Sequence, residues 1–388
     1  MVMYNIKLLN KISPAGLDNF NKSIYSYSED IGNPDAILVR SASMHEYEFD
    51  KNLIAIARAG AGVNNIPVDK CSENGIAVFN TPGANANAVK ELVLLGLLMS
   101  SRKIPAAIDW VKSLKGSGSE VLKLVEKGKG QFVGPEISGK KLGVIGLGAI
   151  GILVANAASS LGMEVYGYDP YISVDAAWGI SRDIKHASNL KDIFSVCDYI
   201  TIHVPLTPET KDLICSESIA TMKKGVRILN FSRAELVTSS DIVEAVKSND
   251  VACYVTDFPT DDQIGINGII ALPHLGASTP ESEDNCAKMA ALQVIDYLET
   301  GSIKNSVNLP DVDVPKTNLT RICAIHKNIP TMLSKLSALL NDFNIDMMVN
   351  KSKKDYAYTV MDISGKCPDD MDKKLEEIDG IIRVRIIK

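Results

Sequence analysis

Two doubly wound parallel α/β sheets followed by a small C-terminal α+β module are the fold this sequence predicts, and three observations predict it. Short apolar runs repeatedly end in polar or charged residues and lead into helical stretches, the pattern of strand–helix units in a parallel sheet. Lys140 to Asp169 reads as strand, glycine turn, helix, strand and acid. Beyond the acidic, proline-bearing segment 311–316 the order changes to strand, helix, strand, strand, helix, strand. At 388 residues the chain exceeds one ordinary core, and the expected domains are 1–99 with 285–312, then 100–284, then 317–388.

The formal charge of −6 argues against nonspecific nucleic-acid binding, which needs a basic footprint. No apolar run is long enough to cross a bilayer, and the first twenty residues lack a basic segment followed by an apolar one, so a cytoplasmic protein without a membrane partner is expected. Seven cysteines are scattered without C-x-x-C pairs, which points to reduced thiols and to no metal site.

In the first domain, a strand over Ala36 to Val39 ends at Arg40 and another over Ile54 to Ala57 ends at Arg58. Ligands collect beyond the carboxyl edges of open parallel sheets. The loop after Arg58 carries Gly60 and Gly62, which allow backbone N–H groups to approach an anion. Phe79 to Gly83 is a turn into a helix, Ala86 to Ser101, whose apolar face is Val89, Leu92, Val93, Leu97 and Leu98. Lys115 to Gly134, rich in glycine and lysine, is expected to be an exposed excursion.

The strand Leu142 to Ile145 then runs into Gly146-Leu147-Gly148-Ala149-Ile150-Gly151. Gly146 permits a tight turn, Gly148 lets a pyrophosphate approach the backbone, and Gly151 allows helix and strand to pack closely. The phosphates would meet free N–H groups at the start of the helix. Asp169, 23 residues after Gly146, is placed for the ribose hydroxyls. Its charge favours NAD over NADP, since Pro170 and Tyr171 offer no arginine for a 2′-phosphate. Four further strands end in polar residues: Tyr199 to Val204 at His203 and Pro205, Val226 to Phe231 before Arg233, Val251 to Thr256 before Asp257, and Ile269 to Leu272 before His274. A helix over Asn285 to Glu299 returns the chain, and the C-terminal module reads as strand Arg321 to His326, helix Ile329 to Phe343, strands Asp346 to Asn350 and Ala357 to Ile363, helix Pro368 to Ile378 and strand Ile382 to Ile387.

Together, Arg58-Ala59-Gly60-Ala61-Gly62-Val63, Asn80-Thr81-Pro82-Gly83, the Gly146 to Gly151 turn, His203-Val204-Pro205-Leu206-Thr207, Arg233 and Pro273-His274-Leu275-Gly276-Ala277-Ser278-Thr279 resemble the D-2-hydroxyacid dehydrogenases. The resemblance implies a flavodoxin-like substrate-binding domain over 1–99 and 285–312, a Rossmann domain that binds NAD over 100–284, and a ferredoxin-like ACT regulatory domain over 317–388. It implies His274 as the general base and Arg233 as the holder of the substrate carboxylate. The family usually places a glutamate beside its histidine. Here that segment is one residue shorter, and Asp261, with Asp262 next, is assigned the role. Gly146, Gly148, Ala149, Ile150, Gly151 and Asp169 would hold the cofactor, Asp257 its carboxamide, and His203 and Pro205 would border the adenine. Arg40, Arg58, Gly60, Ala61, Gly62 and Asn80 would bind a small anionic 2-hydroxyacid.

The members most alike oxidise 3-phospho-D-glycerate to 3-phosphohydroxypyruvate, the first step of the phosphorylated route to L-serine. Glycerate and 2-hydroxyglutarate are alternative substrates, and a non-catalytic NAD sensor is the alternative of another class. In the C-terminal module, His326-Lys327-Asn328-Ile329-Pro330 matches an H-x-N-x-P motif, so His326, Asn328 and Asp346 are implied to contact an amino-acid effector, serine. Such modules pair side by side, which implies a homo-oligomer, a dimer or tetramer.

Overall fold

Short β-branched and alanine-rich runs bounded by glycine, proline and asparagine leave the backbone no option but to pair in sheets buried on both faces. The computed structural model describes residues 3–388. They form two compact units, one of residues up to 85 with 280–388 and one of residues 86–279. No helix among the described residues is long and apolar enough to cross a membrane.

The second unit holds a seven-stranded, wholly parallel sheet in the order Ile269–Ala271, Val251–Thr256, Val226–Asn230, Tyr199–Ile202, Lys141–Ile145, Glu164–Tyr168, Lys185–His186. Strand order reverses at Lys141–Ile145, which places the glycine turn at the topological switch point. The helix Ala86–Arg102, which the sequence reading divides at residue 99, packs here in full. Its buried Val89, Val93 and Leu97 join Leu229, Phe231 and Val154 in one core. Gly96 lets it approach closely, since a Cβ there would lie 3.0 Å from the Phe231 ring. The excursion over Lys115 to Gly134 is helical in part, over Val121–Gly128, with Leu122 and Val133 exposed, and the helix Ile104–Ser113 precedes it with Ile108 and Val111 exposed.

In the first unit, five parallel strands run in the order Tyr25–Ser28, Tyr4–Leu9, Ala36–Val39, Ala55–Arg58, Ala77–Phe79. The C-terminal module is a four-stranded antiparallel sheet, ordered Asn344–Lys353, Tyr356–Ser364, Thr320–Lys327, Ile381–Ile387. One face carries the helices Met332–Leu339 and Met371–Glu376 through Ile322, Ala324, Met361 and Ile363. The first of these helices begins three residues later than the sequence suggests, because Thr331 takes a left-handed conformation at φ 70° after Pro330.

The module's other face is not open to water. Cys323, Ile325, Tyr358 and Val360 enter the same core as Phe79, Tyr297 and Leu298, so the module and the first sheet form one hydrophobic body. Polar contacts reinforce the join. The Tyr358 hydroxyl donates to the Gly301 carbonyl at 2.7 Å, and the Arg385 guanidinium donates to the Tyr297 and Leu298 carbonyls at the end of the helix Pro280–Thr300. Arg321, fully buried, donates to both carboxylate oxygens of buried Asp362 at 2.6 and 2.7 Å and to the Thr300 carbonyl at 2.7 Å. Arg321→Ala leaves Asp362 unpaired in the interior. The expected loss is about 3–5 kcal/mol of unfolding free energy, read from urea denaturation, and an unchanged midpoint refutes it.

Candidate active site

Because every strand of the seven-stranded sheet is parallel, residues that follow the strands share one rim. Along it stand, in spatial order, His274, Asp257, Arg233, His203, the glycine turn and Asp169. Neighbouring strands are about 4.8 Å apart, so the strand before His274 lies about 19 Å from that before Gly146. That is room for an extended dinucleotide and a small substrate on one edge.

The turn is built before any ligand arrives. Gly146 takes φ +93° and donates its N–H to the Tyr168 carbonyl at 2.8 Å. Asp169 accepts from the Leu147 N–H at 2.9 Å through Oδ2 and from the Tyr171 N–H at 2.8 Å through Oδ1. Two backbone amides thus fix the carboxylate, and each oxygen keeps a lone pair for a sugar hydroxyl. The helix Ala149–Ser160 has no side-chain cap on its first N–H groups, and a Cβ on Gly148 would meet nothing within 4 Å. The protein itself does not need glycine there, whereas a pyrophosphate lying on the backbone does. A Cβ on Gly151, by contrast, would lie 1.9 Å from the Gly146 carbonyl oxygen. These residues fit NAD.

His203 bonds Thr201 Oγ1 through Nε2 at 2.9 Å, and its Nδ1 is buried without a partner among the described residues. Burial pulls its ring down to about 3, so it is neutral at physiological pH. Pro205 beside it is exposed.

At the chemical end, Arg233 and His274 are both exposed. Phe258 links them. Its ring centroid lies 4.4 Å from that of His274, and the Arg233 guanidinium sits 6.0 Å above it. Sequence reasoning gave Phe258 no role, although its place directly after the rim residue Asp257 is the available signal. Asp257 is 2 % exposed, and its Oδ1 meets no partner among the described residues. Burial pushes its carboxyl above the usual range, against the pull of His274, the Gly276 N–H and Arg233.

The two aspartates expected beside His274 behave differently. Asp262 accepts from Thr260 Oγ1 at 2.6 Å and from Ser239 Oγ at 2.8 Å. Asp261 opens the 3₁₀ turn Asp261–Gln263, exposed, and forms no hydrogen bond through its carboxylate among the described residues. Asp257, one strand over, interacts electrostatically with His274.

In the first unit, Arg58 donates through Nε to the Arg40 carbonyl at 3.1 Å, and its guanidinium covers Gly60 closely enough that a Cβ there would displace it. Asn80 donates to the Ala61 carbonyl at 2.6 Å, and the Thr81 N–H to that of Gly60 at 3.1 Å, so the loop through Gly62 is braced by the 80–81 turn. Arg40 pairs with Glu283 at 2.5 Å, which balances part of its charge within the chain. In the C-terminal module, buried His326 has both ring nitrogens satisfied, by the Lys327 carbonyl and by Thr359 Oγ1, each at 2.8 Å. Asn328 donates to the Lys354 carbonyl at 3.1 Å, and Asp346 accepts from Asn344 and Ser364, both acceptor and donor groups lying at the exposed surface.

Residues 94–276 match the family described as D-isomer specific 2-hydroxyacid dehydrogenase, NAD binding domain. A D-3-phosphoglycerate dehydrogenase of Haemophilus influenzae is 32% identical over 360 residues, which are 88% of this chain and 82% of that one. A protein of the same name from Methanocaldococcus jannaschii is 35% identical over 297 residues, 74% of this chain; the match spans only 54% of that longer relative. Among solved structures, an NAD-bound 3-phosphoglycerate dehydrogenase of Entamoeba histolytica superimposes with TM-score 0.61 at 24% identity, covering 79% of this chain and 99% of that one. A D-mandelate dehydrogenase of Rhodotorula graminis gives 0.66 at 20% identity, covering 81% and 99%, which shows the shared fold. With its glycine turn, the Asp169 carboxylate fixed beside it and its rim of arginine and histidine, the chain belongs to the D-isomer specific 2-hydroxyacid dehydrogenases and is an NAD-dependent oxidoreductase.

Proposed function

We propose that the chain oxidises 3-phospho-D-glycerate at its 2-hydroxyl, giving 3-phosphohydroxypyruvate, as its relatives' names indicate. The observation that carries the chemistry is the neighbouring of His274, Asp257 and Arg233 at one end of the cofactor rim. Arg233 holds the substrate carboxylate in its planar fork. His274 takes the hydroxyl proton as the carbon gives up hydride. Bound NAD supplies the hydride acceptor. Asp257 stabilises the imidazolium so formed, the role that sequence reasoning gave to Asp261. Phe258 keeps the imidazole and the guanidinium apart, so that each meets its own end of the substrate.

Arg58 receives the substrate phosphate, with Arg40 beside it at the adjacent strand end. Purified protein with NAD should turn over 3-phosphoglycerate in clear preference to glycerate and 2-hydroxyglutarate; equal rates with and without the phosphate sink the assignment. Arg58→Ala should raise the KM for phosphoglycerate roughly tenfold to a hundredfold, the loss of a charge-assisted contact, and leave that for glycerate unchanged.

Asp257 also makes a stability prediction. A carboxyl raised in the fold is most favourable below its unfolded pKa, and that contribution is lost as pH rises through the folded value. That contribution is therefore smaller toward neutral pH than in acid. Asp257→Asn should raise the melting temperature at pH 7, by an amount that fades below pH 4, while lowering turnover. A lower melting temperature at pH 7 contradicts this.

The C-terminal module is proposed to act as an ACT domain. Its strand order and the His326 to Pro330 motif support this, and Asn328 and Asp346 remain exposed for an amino-acid effector such as serine. The strand Asn344–Lys353 lies at a sheet edge and can pair with a second copy, which supports a homo-oligomer.

A further inference from the structure

In the first unit, the segment 305–308 lies along the strand Ala77–Phe79, at the edge of the five-stranded sheet. The Val307 N–H donates to the Val78 carbonyl at 2.8 Å and the Asn80 N–H to that of Asn305 at 3.4 Å, with Phe79 and Ser306 facing one another as an antiparallel bridge. A pair flanked by two such bonds is of the non-hydrogen-bonded kind, so the Ser306 carbonyl turns away from the sheet. Ser306 is 4 % exposed, and a buried carbonyl needs a donor. Lys353 Nζ, from the C-terminal module, is that donor at 2.8 Å.

Lys353 stands at the end of its strand, opposite Tyr356 across a two-residue turn. The turn is held from within the module. Lys354 takes φ 56°, and Asn328 donates to both turn carbonyls, through its N–H to Asp355 at 2.8 Å and through Nδ2 to Lys354 at 3.1 Å. On the far side of the bridge, Asn80 donates to the Ala61 carbonyl at 2.6 Å and the Thr81 N–H to that of Gly60 at 3.1 Å. Asn80, Ser306 and Lys353 share the wall of one depression of about 690 Å³. A tie therefore runs from the hairpin, through one backbone carbonyl, to the turn that braces the loop through Gly62. We propose that Lys353 is a positioning residue for substrate binding. It fixes segment 305–308, and through it Asn80, so that the C-terminal module holds the loop in shape with no effector present. This rests on the reading above that the loop binds the substrate anion.

Steady-state kinetics of the full chain with Lys353→Met test it, using whichever of 3-phosphoglycerate, glycerate and 2-hydroxyglutarate the chain oxidises. The substitution keeps an unbranched side chain at an exposed position and removes only the donor. The KM for that acid should rise about threefold to tenfold, with kcat and the KM for NAD held within about twofold. Lys353→Arg, which still donates to the carbonyl, should restore the KM. Asn80→Ala should raise the KM by itself, and Lys353→Met added to it should change little more, since both act through one contact. An unchanged KM in Lys353→Met while Asn80→Ala raises it overturns the proposal and leaves the loop as the substrate site. An unchanged KM in both overturns the reading of the loop as well. A Lys353→Met chain in which kcat, both KM values and the melting temperature all worsen together shows general destabilisation, which also overturns the proposal.

Discussion

His274→Ala lowers kcat by about 10²–10⁴-fold, the span that general-base catalysis supplies, and leaves NAD affinity within about twofold. The two halves of this expectation rest on different parts of the rim. His274 follows the edge strand Ile269–Ala271, four strands from the glycine turn, so its removal does not disturb the backbone amides that meet the phosphates. It is exposed, and its ring packs against that of Phe258, so truncation opens no interior cavity and the chain folds. Steady-state NADH absorbance gives kcat, and fluorescence titration gives the affinity. A loss confined to KM would mean that the imidazole only positions substrate, and unchanged turnover would remove it from the chemistry. Asp257→Asn separates the base from its partner. If Asp257 stabilises the imidazolium, the Asn variant loses turnover with an acid limb shifted in its pH profile, whereas Asp261→Asn leaves the profile alone.

Much of this site was legible in the sequence because parallel strands impose a direction. Once Leu142 to Ile145 and its successors are read as strands of one sheet, the residue after each must lie on the same edge, and no tertiary detail is needed to bring Arg233, Asp257 and His274 to it. How the shortened segment through Asp261 and Asp262 folds back was not legible. Thr260 caps the turn Asp261–Gln263, and Ser239, from another helix, holds Asp262. A side chain 23 positions away in sequence therefore decides where that loop points. The packing of the C-terminal module against the first sheet went unread for a related reason, although a signal existed. In Thr320–Lys327 the residues of both faces are buried, with Ile322 and Ala324 toward the helices and Cys323 and Ile325 toward the first sheet. An unbroken apolar run in an antiparallel strand means that both faces are covered, and Ile322 to Ile325 is such a run. The helix Ala86–Arg102 was found as an element but divided by a boundary. Its sequence shows an apolar face without showing what that face meets.

Gly151→Ala should abolish both NAD binding and a large part of the second unit's stability, whereas Gly148→Ala should abolish only the binding. The added methyl at 151 would lie 1.9 Å from the Gly146 carbonyl oxygen and 3.0 Å from its carbon, and both are backbone atoms with no rotamer to yield. Relief requires the helix Ala149–Ser160 to lift from the turn. Lifting it strains the Leu147 N–H bond to Asp169 and loosens Val154 and Ala155 from a fully buried core, a loss typical of overpacking, at about 1–3 kcal/mol. At 148 a methyl meets no protein atom within 4 Å, so the melting temperature should be unchanged. What it would meet is a pyrophosphate drawn down onto the N–H groups of the first helical turn, and NAD affinity should fall by about a hundredfold or more as those charge-assisted bonds are held apart. Calorimetry of the two variants side by side therefore distinguishes a glycine kept for the fold from a glycine kept for the ligand. Wild-type NAD affinity in Gly148→Ala would place the cofactor elsewhere than against this turn.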